Sequence, residues 1–116
     1  MGSYVFDYSS KCGVGFSKEF DILVELSQRR VQETSREFGR LIEREGQGRH
    51  RFHSQTQRSA ALAVLRAPDV PAVLFEVGFL TNPEDADRLA SREGQEKLAD
   101  FVAQAIRVFF ARQSTD

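Results

Sequence analysis

The chain has 116 residues, enough for one domain with one core and no more. Its 16 Lys and Arg stand against 17 Asp and Glu, a net charge of −1, which argues against general electrostatic attraction to nucleic acid or anionic lipid. The composition, 41% hydrophobic and 28% charged, is globular rather than disordered, and the single cysteine, Cys12, excludes both a disulfide-stapled scaffold and a four-cysteine zinc site.

Tyr4, Val5, Phe6, Asp7 and Tyr8 are aromatic and β-branched and predict a short strand. Residues 9–15 contain two glycines and read as a loop. From Ser17 the apolar residues Phe20, Leu23, Val31, Phe38 and Leu41 fall at helical spacing, with Val24 and Ile42 widening the stripe. One long helix is expected over about 18–45, ended by Gly46 and Gly48. Its charged face, Arg29 to Glu43, reads as solvated. Residues 49–58 are polar and basic and read as a loop, and residues 60–65 as a short strand. Residues 70–80 are the most apolar stretch and suit a strand buried on both faces of a parallel sheet. Asn82, Pro83, Glu84 and Asp85 predict a helix start, with Asn as the cap and acids in the first turn. A last helix opens at Ser91 or Arg92, with Leu98, Phe101, Val102, Ala105, Ile106 and Phe109 as its buried stripe. The order β–α–β–β–α–α places the chain in the α/β class, as a single domain over 1–116.

Glu76 is the outstanding candidate for chemistry. Its neighbours in Val73-Leu74-Phe75-Glu76-Val77-Gly78-Phe79 are all apolar or glycine. A carboxylate inside a buried strand is paired, metal-bound or neutralised with a raised pKa, and a raised pKa suits a general acid or base. The plain alternative is a structural glutamate bonded to an arginine or a backbone amide. His50 and His53 form an H-x-x-H pair that a metal could share, but the loop offers no third ligand, and solvated histidines are the simpler reading. Arg49, His50, Arg51 and Arg58 could form an anion or nucleic-acid patch; a solvated loop is again the simpler reading, given the near-zero net charge. No apolar run approaches the roughly 20 residues needed to span a bilayer. Met1-Gly2-Ser3-Tyr4 has no signal-peptide character, so the chain reads as cytosolic as written or as a piece whose targeting signal lies elsewhere.

The run Val64-Leu65-Arg66-Ala67-Pro68-Asp69-Val70-Pro71, followed by Val73-Leu74-Phe75-Glu76-Val77-Gly78-Phe79-Leu80 and Asn82-Pro83-Glu84, resembles the carboxyl-terminal half of the zinc-dependent N-acetylmuramoyl-L-alanine amidases of the periplasmic cell-wall type. The resemblance is strongest over 58–110. Residues 10–32 are similar to the regulatory-insertion region and following helix of the division-associated members. It implies an α/β fold of three layers, with a mostly parallel sheet flanked by helices and without the family's N-terminal strands. It also implies Glu76 as the catalytic carboxylate, peptidoglycan as substrate, zinc as cofactor of the complete enzyme, an activator of the LytM type as partner, and a place in the periplasm or cell envelope. The family's zinc ligands lie upstream of the residues present here, no G-H-G-G motif occurs, and neither His50 nor His53 matches a ligand position. The expectation is therefore a chain that carries the glutamate, binds no zinc, is inactive alone, and associates with copies of itself through an uncovered sheet edge. The rival expectation is a non-enzymatic peptidoglycan- or protein-binding module that uses the long helix as its partner surface.

Overall fold

The computed structural model describes residues 3–8, 18–60 and 69–115. Six elements follow one another: β1 (Ser3–Tyr8), α1 (Lys18–Gly46), β2 (Phe52–Ala60), β3 (Leu74–Glu76), α2 (Pro83–Ala90) and α3 (Arg92–Gln113). α1 runs unbroken for 29 residues, close to the extent its apolar spacing predicts. It ends where Gly48 takes a φ of +76°, a left-handed turn that a side chain would disfavour, while the His50 N–H closes back on the Gly46 carbonyl at 2.9 Å. The cap at α2 also forms as the sequence predicts: the Asn82 side chain accepts from the Asp85 N–H at 3.0 Å, and Pro83 sits in the first turn. Ser91 does the same for α3, accepting from the Gly94 N–H at 3.0 Å.

The sheet corrects the expected fold. A mostly parallel sheet flanked by helices in three layers does not form. The described strands are ordered β2-β1-β3 and are mixed in direction. β1 pairs parallel with β2, its register shifting between Ser3 and Val5, and antiparallel with β3, where Tyr4 stands opposite Glu76 and Phe6 opposite Leu74. Nor is there a long strand over 70–80 buried on both faces. β3 has three residues, two half-buried and one exposed. The physical reason lies on either side of it. Pro71 has no N–H to donate, and the Ala72 N–H is taken by the Ser35 hydroxyl of α1 at 2.9 Å rather than by a strand. At the other end the strand stops at Glu76, two residues before Gly78 takes a φ of +155°.

β2 lies where a basic loop was expected. Its side chains are mostly polar, as suits an edge strand with one wet face, and Thr56 is its buried residue among those described. The strand expected at 60–65 falls largely outside the described residues, as does Cys12.

The core is a helix–helix seam. Its fully buried apolar residues are Leu41 and Ile42 from α1 and Phe101 and Ala105 from α3. Phe38, Leu98, Val102 and Phe109 pack around them, and the sheet contributes Phe52 and Phe75. Near its N-terminus α1 leaves apolar side chains uncovered: Leu23 is 67% exposed, and Ile22, Val24 and Leu26 are exposed with it. Burial is therefore concentrated in the C-terminal half of α1 and in α3. Replacing Phe101 with Ala should cost about 3–5 kcal/mol, by lost transfer energy and an unfilled cavity. L23A should stay within about 0.5 kcal/mol of the parent. Urea titrations of both variants check the contrast.

Candidate functional site

Glu76 is the last residue of β3, with the irregular stretch of residues 77–79 immediately after it. Its side chain is exposed. The burial suggested by its apolar neighbours is absent: β3 is three residues long and, among the described strands, lies at the edge of the sheet.

The buried charge sits instead in the helix that follows. Asp85, in the first turn of α2, is 1% exposed, and among the described residues it is the one charged side chain in the buried class. One carboxylate oxygen, Oδ2, accepts from the Phe79 N–H at 3.0 Å, and the other, Oδ1, meets Arg88 Nη1 at 3.2 Å. Arg88 reaches back further: its Nη2 donates to the Val77 carbonyl at 3.1 Å. Gly78 lies between these two anchors, and a Cβ there would stand 3.1 Å from Arg88 Nη2 and 3.2 Å from Asp85 Cγ. Burial opposes the charge on Asp85. The Phe79 N–H and the Arg88 guanidinium outweigh it and hold the carboxyl below its ordinary value.

His50 and His53 do different things. The His50 ring lies among Phe52, Phe75 and Phe101, with centroids 5.1, 5.8 and 5.3 Å away. Burial in this aromatic cage, followed by the charge of Arg88, lowers its pKa from 6.5 to about 4, against the opposing pull of Asp85 and a bond to the Val77 backbone. His53 lies on β2, where its Nδ1 accepts from the Gln55 N–H at 3.1 Å. Among the described residues no three His, Cys, Asp or Glu side chains come together in a way that could hold a metal ion. The described residues therefore do not fit zinc. Of the basic residues singled out in the sequence, Arg51 makes an exposed ion pair with Glu84 at 3.2 Å.

The arrangement is thus a carboxylate presented at a strand end, with its following stretch bound to a buried ion pair and backed by a neutral imidazole. Reading the sequence passed over Asp85 and Arg88 as site residues. Asp85 was visible as a first-turn acid, but its contact with residues 77–79 is tertiary.

Comparison with known proteins identifies the lineage. The profile of the N-acetylmuramoyl-L-alanine amidase family matches residues 3–108. The chain belongs to that family. It is 39% identical to the N-acetylmuramoyl-L-alanine amidase AmiA of Salmonella typhimurium over 61 residues, 53% of this chain and 21% of that protein. The AmiA of Escherichia coli is 38% identical over the same share of each chain. The N-acetylmuramoyl-L-alanine amidase AmiC of Neisseria meningitidis is 32% identical over 85 residues, 73% of this chain and 20% of that protein. The chain thus spans about a fifth of the length of these relatives. No helix among the described residues is long and apolar enough to cross a membrane.

The histidine carries a pH dependence whose sign is fixed. Above pH 6.5 His50 is neutral in both folded and unfolded chains and has no effect. Between 6.5 and about 4 the unfolded chain takes up a proton that the folded chain does not, so stability falls as the pH falls through this window. Below it Asp85, whose folded pKa is depressed, adds a further loss as its carboxylate becomes protonated. Urea titrations across this range should show the first part of the slope flattened in H50Q and retained in H53Q.

Proposed function

We propose that this amidase-family chain acts in the hydrolysis of peptidoglycan, at the amide between the lactyl group of N-acetylmuramic acid and L-alanine, and that Glu76 is its catalytic carboxylate. The observation that carries the reading is the position of Glu76. It lies inside the family match, at the end of a strand, with its carboxylate open to solvent and so to a substrate as large as a glycan strand.

The chemistry assigned to this chain is proton transfer. Water adds to the lactyl carbonyl carbon, the bond from that carbon to the alanine nitrogen breaks, and the nitrogen leaves as an amine. Glu76 accepts the proton released by the attacking water and returns it to the departing nitrogen. The carboxylate ends the cycle as it began. In a complete amidase zinc supplies a polarised carbonyl and an acidified water; its ligands come from outside the residues described here. The work of the chain lies in the cell envelope, where peptidoglycan is found.

The test joins the full chain behind the amino-terminal segment of the Salmonella amidase that precedes the aligned part. The fusion is expected to release stem peptides with free alanine amino groups from purified sacculi. E76Q should lower kcat by about 10²- to 10⁴-fold, the usual range for general acid–base catalysis, while sedimentation with sacculi is unchanged. An E76Q fusion that works at the parent rate overturns the assignment of Glu76. If the unfused chain binds sacculi and the fusion hydrolyses nothing, the result favours a binding module.

A further inference from the structure

We infer that Asp85 and Arg88 are positioning residues for Glu76, fixing the stretch of residues 77–79 that follows it and so the place of its carboxylate; this rests on the reading of Glu76 as the general base.

The pair binds that stretch at both of its ends. The Val77 carbonyl accepts from Arg88 Nη2 at 3.1 Å, and the Phe79 N–H donates to Asp85 Oδ2 at 3.0 Å. Gly78, between them, lies close enough to both side chains that a Cβ would press on each. The pair is itself anchored. The Asp85 N–H is bound by the Asn82 side chain at 3.0 Å, and the Asn82 N–H donates to the Phe79 carbonyl at 3.1 Å, so the stretch and the start of α2 form one closed unit.

Two features argue for a role beyond holding the fold. The first is cost. Taking a carboxylate to 1% exposure requires desolvation that a packed apolar side chain would avoid, and a buried ion pair is a weak source of stability. What a planar guanidinium fork provides is direction, because two of its nitrogens are committed to two acceptors at fixed angles. The second is place. β3 is three residues long and pairs with β1 through Glu76, Phe75 and Leu74, so among the described strands the ladder holds Glu76 from one side. The next peptide carbonyl, that of Val77, is held by Arg88. The backbone at Glu76 is thus fixed between the Tyr4 register position and the ion pair.

The test uses the same fusion, in E76Q, R88K and D85N forms, with rates expressed per folded molecule. R88K keeps the positive charge beside Asp85 and removes the fork, so it separates direction from charge; it also carries the test if D85N fails to fold. Both variants are expected to lose about 10- to 100-fold in kcat with KM unchanged, the penalty for a catalytic group displaced by about an ångström. A purely structural role lowers the folded fraction and leaves the rate per folded molecule intact. If E76Q is inactive while R88K and D85N turn over at the parent rate, this inference fails and the reading of Glu76 stands. If E76Q turns over at the parent rate, or the parent fusion hydrolyses nothing, the reading of Glu76 fails and this inference falls with it.

Discussion

The ring of Phe101 is the meeting point of the described structure. It is fully buried, it comes from α3, and it joins Leu41, Ile42 and Ala105 in the core between α1 and α3. It also lies 6.2 Å from Phe52 of β2, 6.1 Å from Phe75 of β3 and 5.3 Å from His50, which follows α1. Residues of α1, β2 and β3, together with α3 itself, therefore meet at one side chain. A three-residue strand has too few ladder bonds to hold its own position. β3 holds its place because Phe75, its middle residue, is fixed by this cluster. The position of Glu76, next along the strand, thus depends on packing that begins in α3.

The second constraint is electrostatic, and it starts where the aromatic cluster ends. His50 touches both. Its ring is packed among the phenylalanines, and its pKa is depressed first by that burial and then by Arg88. A neutral imidazole leaves the Arg88 guanidinium free of a competing cation at the one place where it pairs with Asp85 and reaches Val77. The apolar core and the ion pair are therefore coupled: a charged His50 would disturb the packing of Phe75 and the field around Arg88 together. Packing on one side of Glu76 and hydrogen bonding on the other impose a single backbone path on the residues around it.

The parts legible in the sequence were those set by local chemistry. The extent of α1 followed from apolar spacing and from the glycines at its end, and the starts of α2 and α3 from Asn82, Pro83 and Ser91. The parts that were not legible depend on distant partners. β2 is made of polar and basic residues and reads as a loop; it is a strand because β1 runs alongside it. The apolar run around Glu76 suggested a strand covered on both faces. The Ser35 hydroxyl takes the Ala72 N–H, Gly78 takes a φ of +155°, and three residues of strand remain between them. Glu76 is the one charged residue of its apolar segment, but the burial its neighbours suggest does not occur, and the buried carboxylate is Asp85. Asp85 was hidden by a sequence role it also fulfils, that of an acid in the first turn of a helix.

Burial is distributed very unevenly along α1. Leu41 and Ile42 are each 2% exposed, whereas Ile22, Leu23 and Leu26 are all more than half exposed. Each large aliphatic side chain left in water forgoes about 1.5–3 kcal/mol of burial energy, so the first half of this helix contributes little to its own stability beyond intrahelical hydrogen bonds and surface ion pairs such as Arg29 with Glu25. The helix is held from its C-terminal end. That end carries Gly46 and leads to His50, whose ring packs against Phe75 next to Glu76, and it belongs to the well-packed part of the molecule. Opening that begins among Ile22, Leu23 and Leu26 can leave the Phe101 cluster intact, because none of those side chains belongs to it. The structural support of the proposed catalytic carboxylate is thus confined to the half of the chain where apolar burial and the Asp85–Arg88 pair reinforce each other.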